Sequence, residues 1–434
     1  MSRYSIFQNP IKLFSLLLFA GAIAFTSCEE LQDEIEEGEE VTADAGTDVA
    51  VQVGNEVTLD AGNSSSASGS LSYEWEFVSK PGESTVQLSN TLSVTTSFTP
   101  DVAGDYVVEL TVSANGTSDT DQITVTASGG AGVETKEISG EINEATTWTN
   151  HISDPGTPDY MITGDVGLNA ELTIEDGVLI HVREDVGLWV NSDGAIISEG
   201  TSESMIEFTS ADEGSDLHWK GIMVYSSSSK NKLEYTKIRY AGNSEFGFSG
   251  TNYATAIGIE GGKLSMLNSE VSNSNAFGLF LHSGEINQFS ENSFSSNQLY
   301  SIRINATEVG KLDSVTTFDD SQKAVEIYGS TASSTSDIVW PDLSGNARYY
   351  VSGWLYVDSY VEISPGAIFD FKEDMAIEVT SNGVLVADAA EKSQIVFTSK
   401  SAGSGIYWKG IWVKSNDSRN ILSNVEVSYA GNSA

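Results

Sequence analysis

The 434-residue sequence is long enough for two or three domains with hydrophobic cores, and its 39% hydrophobic content excludes low-complexity disorder. Acidic residues outnumber basic ones, with 62 Asp and Glu against 21 Lys and Arg, which gives a formal net charge of −41. This charge excludes nucleic acid as a partner, because phosphate binding requires clustered basic residues.

The N-terminus has the pattern of a signal peptide over residues 1–27. Arg3 and Lys12 precede an apolar run that is shorter than a comfortable bilayer span and ends in FTSC at Cys28. Small residues before a cysteine resemble the lipobox of bacterial lipoproteins, which implies that the Cys28 thiol is acylated and anchors the protein in a membrane. An ordinary secretory signal peptide is the alternative. Cys28 is the only cysteine, so no disulfide forms within one chain.

Residues 28–40, CEELQDEIEEGEE, form an acidic tether. Like charges at this density repel one another and keep the segment extended. An acidic stretch directly after a lipidated cysteine resembles the surface-export signals of Bacteroidetes lipoproteins. That resemblance implies an outer-membrane lipoprotein exposed at the cell surface, whereas a merely solvated linker is the alternative. Loss of residues 1–27 would remove two basic residues, so the charge becomes −41 − 2 = −43 and the lipid must supply the membrane affinity.

Residues 41–128 predict a β-sandwich of about seven short strands. The alternating segments are VAVQV, EVTLD, LSYEWEF, VQLSN, DYVVELTV and DQITVTA, separated by turn-rich stretches such as AGNSSSASGS. The stretches ADAGTDVAVQVGNEVTLDAGNSS and SFTPDVAGDYVVELTV resemble a PKD-type domain of the immunoglobulin fold. Domains of that family act mostly as spacers or adhesive modules. Trp75 and Tyr106 are expected to pack in the core.

The carboxylates of this domain are candidate calcium ligands. Asp60, Asp119 and Asp121 lie in loops or at edges, and calcium prefers several oxygen ligands. No dense DxDxDG-like run surrounds them, so the preferred interpretation is that they fix turns through the backbone. We predict no metal site and no cofactor, with calcium as the alternative.

After a Gly-rich linker at 129–146, the sequence contains a duplicated unit. Residues 162–244 align without gaps on residues 351–433 at an offset of 189, with 29 identities in 83 positions. The shared blocks include FTS, WKGI and YAGNS. An ungapped match of this length indicates a duplicated structural unit.

A shorter period lies between the two copies. At an offset of 23, Val271 falls on Phe294, Leu279 on Ile302 and Ile304 on Ile327. Short apolar strands that recur every twenty-odd residues, separated by Asn, Ser and Gly, are typical of the coils of a parallel β-solenoid.

From about residue 147 to 434 the sequence resembles the right-handed parallel β-helix proteins of bacterial surfaces, the pectin-lyase-like fold. The matching pieces are the W…Y-x-I-x-G start, LTIEDG, IEFTS, WKGI and YAGN, each with a counterpart in the second copy. The fold class is therefore predicted as all-β, an immunoglobulin-like PKD β-sandwich followed by a right-handed parallel β-helix solenoid. Because the second copy stops directly after YAGNS, we expect the solenoid to be truncated at its C-terminal end or covered by a partner.

The WKGI block is predicted to be structural. In a continuous strand HWKGIMV, Trp219 and Met223 would lie on one face, and Ile222 and Val224 on the other. One strand cannot bury both faces in the same core, so a bend is expected at Gly221. Trp219 then points into the core and Lys220 outward. Trp408 and Gly410 repeat the arrangement in the second copy.

Catalysis is the alternative function, because the resemblance also covers polysaccharide lyases and glycoside hydrolases. A glycosidase needs two carboxylates across a groove, and a lyase needs acidic calcium ligands with an Arg or Lys base. The basic candidates fall in no recognisable lyase pattern; they are Arg239, Arg303, Lys323 and Arg348. The four histidines have no zinc-binding spacing; they are His151, His181, His218 and His282. No catalytic residue is assigned, and the protein is interpreted as more consistent with a non-enzyme.

Binding of a polysaccharide or another surface ligand is the preferred function. Solenoids present long ridged faces, and exposed aromatic rings are suited to holding sugars. Trp189, Tyr225 and Trp412 are the candidate ligand-binding residues, since each is replaced by a non-aromatic residue in the other copy. Packing in the core is the alternative for each of them.

Overall fold

A computed structural model describes residues 40–82, 84–128, 134–152, 154–212, 217–389 and 393–431. These residues form an all-β protein with long parallel ladders and only three short 3-10 helices, at Glu308–Lys311, Ser321–Lys323 and Ser344–Asn346. The predicted signal peptide, Cys28 and nearly all of the acidic tether lie outside the described residues, as do residues 432–434. In the part of the chain that is described, no helix has the length and hydropathy needed to cross a bilayer.

The N-terminal domain contains eight strands. They are β1 Val41–Thr42, β2 Val49–Gln52, β3 Val57–Asp60, β4 Ser65–Ser66, β5 Ser72–Ser79, β6 Thr95–Phe98, β7 Gly104–Ala114 and β8 Thr117–Ser128. A four-stranded sheet has the order β2-β8-β7-β5, while β3 pairs with β6 and β1 with β4. The long β7–β8 hairpin buries alternate residues, as the period-two pattern predicts.

The core of this domain surrounds Trp75 and Tyr106, both of which are buried. The Tyr106 hydroxyl donates to the Val102 carbonyl at 2.8 Å and contacts Asp101 at 3.1 Å. Burial raises the pKa of Asp101, but hydrogen bonds from Ser84, Thr85 and Tyr106 outweigh it and hold that pKa far below the usual range.

One predicted strand of the domain is wrong. VQLSN, residues 86–90, is irregular, and the strand facing β3 is β6 instead. The backbone of this segment is tied by its side chains: the Ser97 amide donates to the Ser89 hydroxyl, and the Leu92 amide donates to the Asn90 carboxamide. Such local hydrogen bonds compete with strand pairing.

The three calcium candidates bind backbone amides. Asp119 accepts the Ala43 amide at 2.9 Å, and Asp121 accepts the Ala45 amide at 2.8 Å. Asp60 accepts the Gly62 amide two residues ahead at 2.8 Å. These contacts fasten the N-terminal segment to β8 and close a turn, which is the structural role expected of such carboxylates.

Nineteen further strands follow in the described residues up to Ile327. They are β9 Lys136–Ile142, β10 Thr146–Trp148, β11 Tyr160–Leu168, β12 Glu171–Ile174, β13 Leu179–Val182, β14 Gly187–Val190, β15 Ala195–Glu199, β16 Ile206–Ser210, β17 Gly221–Val224, β18 Lys232–Glu234, β19 Thr236–Arg239, β20 Glu245–Phe248, β21 Thr251–Leu267, β22 Glu270–Ser272, β23 Phe277–Ser290, β24 Ser293–Ser295, β25 Ile302–Ile304, β26 Thr317–Phe318 and β27 Val325–Ile327. Apart from the β20–β21 hairpin, their pairings are parallel.

These strands stack in three ladders that the chain visits in turn. The first ladder contains β10, β12, β15, β18 and the ends of β21 and β23. The second contains the starts of β9 and β11, then β13, β16, β19, β22, β24 and β26. The third contains the ends of β9 and β11, then β14, β17, the starts of β21 and β23, β25 and β27. One passage through the three ladders is called a coil.

The 23-residue period is confirmed by the register of these ladders. Val271 pairs with Phe294, and Leu279 pairs with Ile302. Ile304 pairs with Ile327 one coil later. Apolar residues of successive coils stack into one continuous buried core. This long parallel arrangement is consistent with the predicted β-helix.

The second copy repeats the strands of the first. Its strands and those just before it are β28 Ser330–Ala332, β29 Ile338–Trp340, β30 Arg348–Val351, β31 Leu355–Val357, β32 Tyr360–Ile363, β33 Ile368–Phe371, β34 Ala376–Val379, β35 Val384–Asp388, β36 Ile395–Ser399, β37 Gly410–Val413, β38 Ile421–Ser423 and β39 Val425–Val427. From β12 and β32 (360 − 171 = 189) to β18 and β38 (421 − 232 = 189), equivalent strands begin and end at the same offset.

Two of the three sets of strands in the second copy nevertheless lie on ladders other than those of their counterparts. In the first copy, the start of β11, β13, β16 and β19 belong to the second ladder. Their counterparts β30, β33, β36 and β39 pair onward from β27 and so continue the third ladder. β31, β34 and β37 therefore form a separate ladder with β28. Equivalent outward positions of these two sets of strands consequently lie on different ladders.

The WKGI blocks form a corner at the start of a strand. Trp219 is fully buried, and its indole N–H donates to the Arg239 carbonyl at 2.7 Å. β17 begins at Gly221, whose φ of +126° favours glycine. A Cβ there would lie 2.5 Å from the Ala256 carbonyl oxygen. Trp408 and Gly410 repeat this corner: Trp408 is buried and Gly410 has a φ of +109°.

Candidate binding sites

The outer face of the third ladder presents one continuous column of side chains. Strand pairing places one outward residue of each coil next to that of the following coil. In order, the column contains Gly167, Trp189, Met223, Gly258, Phe280, Arg303, Glu326, Tyr350 and Asp370. These residues alternate with the buried core positions, so any site on this face is built from residues about a coil apart in sequence.

The β20–β21 hairpin covers the middle of the column. Phe246 and Phe248 project from it and are buried against Met223 and Phe280, while the alternate residues face solvent. Phe248 lies 4.6 Å from Phe280 between ring centroids. The hairpin thus covers the centre of the outer face and leaves the two ends of that face uncovered.

Beyond the hairpin, the column contains a cluster of paired charges, in which the buried Arg303 Nε has no hydrogen-bond partner among the described residues. The Arg303 guanidinium is bonded to Glu326 at 2.6 Å and lies 4.7 Å from the Tyr253 ring centroid. The Arg348 guanidinium is bonded to Asp370 at 2.9 Å. Burial raises the pKa of Asp370, and the nearby Arg348 opposes that change. These groups hold neighbouring coils together.

The other basic residues considered for lyase chemistry are also engaged. Arg239 is bonded to Glu207 at 2.7 Å, and the Lys323 ammonium donates to the Gln298 carbonyl at 3.1 Å. Burial raises the pKa of the nearby Tyr328 hydroxyl to about 12, so it stays protonated at neutral pH.

Trp189 lines a cleft at the N-terminal end of the same column. The cleft has a volume of about 230 Å³ and is lined by Glu141, Asp165, Val166, Gly167, Trp189 and Asn191. Gly167 pairs with Glu141 on one side and with Trp189 on the other. Because Gly167 has no side chain, the Glu141 carboxylate lies directly over it, on the side of the column next to the indole ring.

The cleft is held in shape by its surroundings. Phe246 from the hairpin contacts the Trp189 ring edge-on at 5.7 Å, and the Lys220 ammonium lies 5.7 Å from the same ring. On the other side, the Asn169 carboxamide donates to Glu141 at 2.8 Å and accepts from Asn191 at 2.8 Å. A half-buried ring therefore stands beside hydrogen-bonding groups of fixed orientation.

Tyr225 lies near this cleft but is a packing residue. It is half-buried against the hairpin cluster, and its hydroxyl lies 3.5 Å from the Gly247 carbonyl oxygen. Burial, and then the charge of Glu260, raise the pKa of the hydroxyl. The structure thus places Tyr225 with Trp189 around the hairpin, but not among the residues that line the cleft.

Trp412 belongs to a different surface, the aromatic patch, which consists of Trp354, Tyr356 and Trp412. Trp412 is 45% exposed and contacts Trp354 edge-on at 5.3 Å. Tyr356 and Trp412 are outward residues of β31 and β37, separated by Glu378 of β34. The Lys414 ammonium is bonded to Glu378 at 2.7 Å, so the charge of that carboxylate is balanced.

The histidines do not converge on a metal site. His282 is bonded to Glu260 at 2.7 Å and stacks on Tyr328, and His151 contacts Asp159 at 3.3 Å. Among the residues that the structure describes, no group of three or more His, Cys, Asp or Glu side chains is placed to hold a metal ion.

Sequence reasoning missed the hairpin and the partners of the two candidate tryptophans. The segment EFGFSGTNY contains alternating Phe246 and Phe248 before a Ser-Gly turn, a signal that predicts a hairpin. Glu141 lies 48 residues before Trp189 (189 − 141 = 48), and only the strand register brings the two together.

Comparison with known proteins identifies the N-terminal domain. A family model that describes a PKD domain matches residues 45–127. The solved PKD domain of the KIAA 1837 protein is 31% identical, with 21% of this chain and 89% of that chain covered and a TM-score of 0.19. The PKD domain of human KIAA0319 is 21% identical, with 24% and 95% covered and a TM-score of 0.20. No curated protein sequence matches this chain. Residues 45–127 are a PKD domain.

Proposed function

We propose that this protein is a lipid-anchored, non-catalytic protein of the bacterial outer membrane surface that binds polysaccharide. In this proposal Cys28 bears the lipid, the PKD domain acts as a spacer, and a right-handed parallel β-helix presents the binding face. The PKD domain and the extended parallel ladders are consistent with a surface protein.

The observation that carries the proposal is the cleft at Trp189. It combines a half-buried indole ring with the carboxylates of Glu141 and Asp165 and the carboxamide of Asn191. An aromatic ring can pack against the C–H face of a sugar, while carboxylate and carboxamide groups bind its hydroxyls. The cleft is open and shallow, which suits one or two rings of a long chain more than a buried small molecule.

The negative charge of the protein favours neutral polysaccharides over anionic ones. The chain has a formal net charge of −41, and two carboxylates line the cleft. A polyuronate or sulfated glycan would be repelled by this field, whereas a neutral chain would not. We therefore propose a neutral polysaccharide as the ligand class. No specific observation favours the lyase or hydrolase alternative, since the charged groups of the outer column are paired with one another.

Affinity electrophoresis of the full chain tests this function. The gels contain mixed-linkage β-glucan, xyloglucan or galactomannan as neutral probes, and alginate or polygalacturonate as anionic ones. We expect retardation by at least one neutral probe and by neither anionic probe. Trp189→Ala should weaken that retardation about tenfold or more, as for an aromatic anchor at an interface. Tyr407→Ala, which removes an exposed ring outside the cleft, is the matched control. Normal migration in every neutral gel would refute the proposal.

A further inference from the structure

The aromatic patch has the features of a second contact surface. Trp354, Tyr356 and Trp412 form a group of contacting rings, with Trp354 and Tyr356 at 6.2 Å between centroids. The Trp354 indole N–H donates to the Asp374 carbonyl at 3.1 Å, which fixes the orientation of that ring. Two large rings are substantially exposed, Tyr356 at 37% and Trp412 at 45%.

Trp412 occupies an outward position of β37. Ile411 and Val413 pair with the buried residues Ile377 and Val379 and so lie on the inward side of the strand, where Val413 is itself 49% exposed. Trp412 pairs with Glu378 and faces the opposite way.

The patch and the cleft do not form one continuous groove. Trp189 lies on the third ladder, which in the second copy is continued by β30, β33 and β36. Trp412 lies on the ladder of β28, β31, β34 and β37. Because β37 belongs to a separate ladder, unlike its counterpart β17, the two tryptophans lie on different faces of the coils.

The chemistry of the patch fits the same class of ligand as the cleft. Its central carboxylate, Glu378, is bonded to Lys414, and Asp374 is bonded to Lys409 at 3.4 Å. Flat rings beside charge-balanced polar groups suit an uncharged polyhydroxyl chain, while the acidic remainder of the protein repels polyanions.

We infer that the aromatic patch is a second polysaccharide-binding surface, and that one molecule bridges two neutral polysaccharide strands through the cleft and the patch. This inference rests on the proposed function. Because the two surfaces face different directions, a single stiff strand cannot occupy both, and simultaneous binding joins separate strands.

Cross-linking of a soluble neutral polysaccharide tests the inference. The full chain, shown to be monomeric by sedimentation, is mixed with the neutral probe that retards it most, and light scattering is recorded over a range of protein-to-polysaccharide ratios. We expect scattering to rise to a maximum and to fall when protein is in excess, because every strand then binds its own protein molecules. Trp189→Ala and the double variant Tyr356→Ala/Trp412→Ala should each remove the maximum, whereas each still binds the polysaccharide about tenfold more weakly than the unaltered chain.

The outcomes separate the inference from the function. If the unaltered chain binds the probe but never raises scattering, or if Tyr356→Ala/Trp412→Ala cross-links as well as the unaltered chain, the second surface is refuted and the function stands. If the unaltered chain binds no neutral probe, both the second surface and the proposed function are refuted. Tyr407→Ala should behave like the unaltered chain, and equal melting temperatures show that the variants are folded.

Discussion

Replacement of Trp219 by alanine should destabilise the coils without removing a ligand contact. The indole is fully buried, stacks on Phe208 at 6.2 Å, and donates to the Arg239 carbonyl. Truncation of a buried tryptophan costs about 3–5 kcal/mol, and loss of the hydrogen bond contributes about 1 kcal/mol of that. In a solenoid each coil contacts only its neighbours. The loss of stability should therefore appear in the unfolding transition of the coils and not in that of the PKD domain.

Urea unfolding followed by circular dichroism measures this effect, with transition midpoints compared instead of a single unfolding free energy. Trp408→Ala should give a similar loss, because Trp408 is equally buried and stacks on Phe371 at 4.1 Å. Trp412→Ala, at an outward position, should shift the midpoint little. If Trp219→Ala abolished polysaccharide binding and left the midpoint unchanged, the interpretation of WKGI as a structural corner would be wrong.

Three further substitutions, at Gly221, Glu326 and Asp101, test how these residues stabilise the fold. Gly221→Ala should lower the melting temperature more than Gly410→Ala, because both have positive φ but only the Cβ at 221 meets backbone oxygens, and equal losses would contradict the close approach. Glu326→Ala should lower the free energy of unfolding by about 3–5 kcal/mol, since it leaves the Arg303 charge unpaired among four aromatic rings. Comparison of the thermal melting of Glu326→Gln and Glu326→Ala shows whether the loss comes from the charge or from the packing of the side chain. Asp101 has a lowered pKa, so it stabilises the PKD domain above its unfolded pKa of about 4, and this stabilisation is lost as pH falls toward the lower folded pKa. Acid titration of Asp101→Asn should therefore show a flatter loss of PKD stability than the unaltered chain, and an unchanged profile would exclude this carboxylate as the cause.

Much of the fold could be predicted because apolar periodicity reports burial directly. The pairs Val271 with Phe294 and Leu279 with Ile302 follow from the 23-residue period alone. The change of ladder between equivalent strands of the two copies could not be predicted, because an offset in sequence gives the repeated unit but not the ladder to which each strand belongs. That position depends on the summed lengths of all intervening corners.

The candidate site residues could be selected from the sequence, but their surroundings could not. Trp189 and Trp412 were identified because they differ between the copies, yet their surroundings depend on register. Glu141 reaches Trp189 across Gly167 only because three strands pair in a particular alignment. Tyr225 shows the limit of the same reasoning, since its ring differs between copies but packs beneath a hairpin.

The binding affinity of Gly167→Ala tests the central claim most directly. A Cβ at Gly167 would overlap the Glu141 carboxylate and displace it from the floor of the cleft. Glu141 is exposed, so this displacement breaks its hydrogen bond from Asn169 at little cost to stability. Calorimetric titration of the full chain with an oligosaccharide cut from the retained neutral polysaccharide gives the dissociation constant. The proposed cleft predicts an affinity about tenfold or more lower for Gly167→Ala at an unchanged melting temperature. Equal affinity for the two proteins would contradict a carbohydrate site between Glu141 and Trp189.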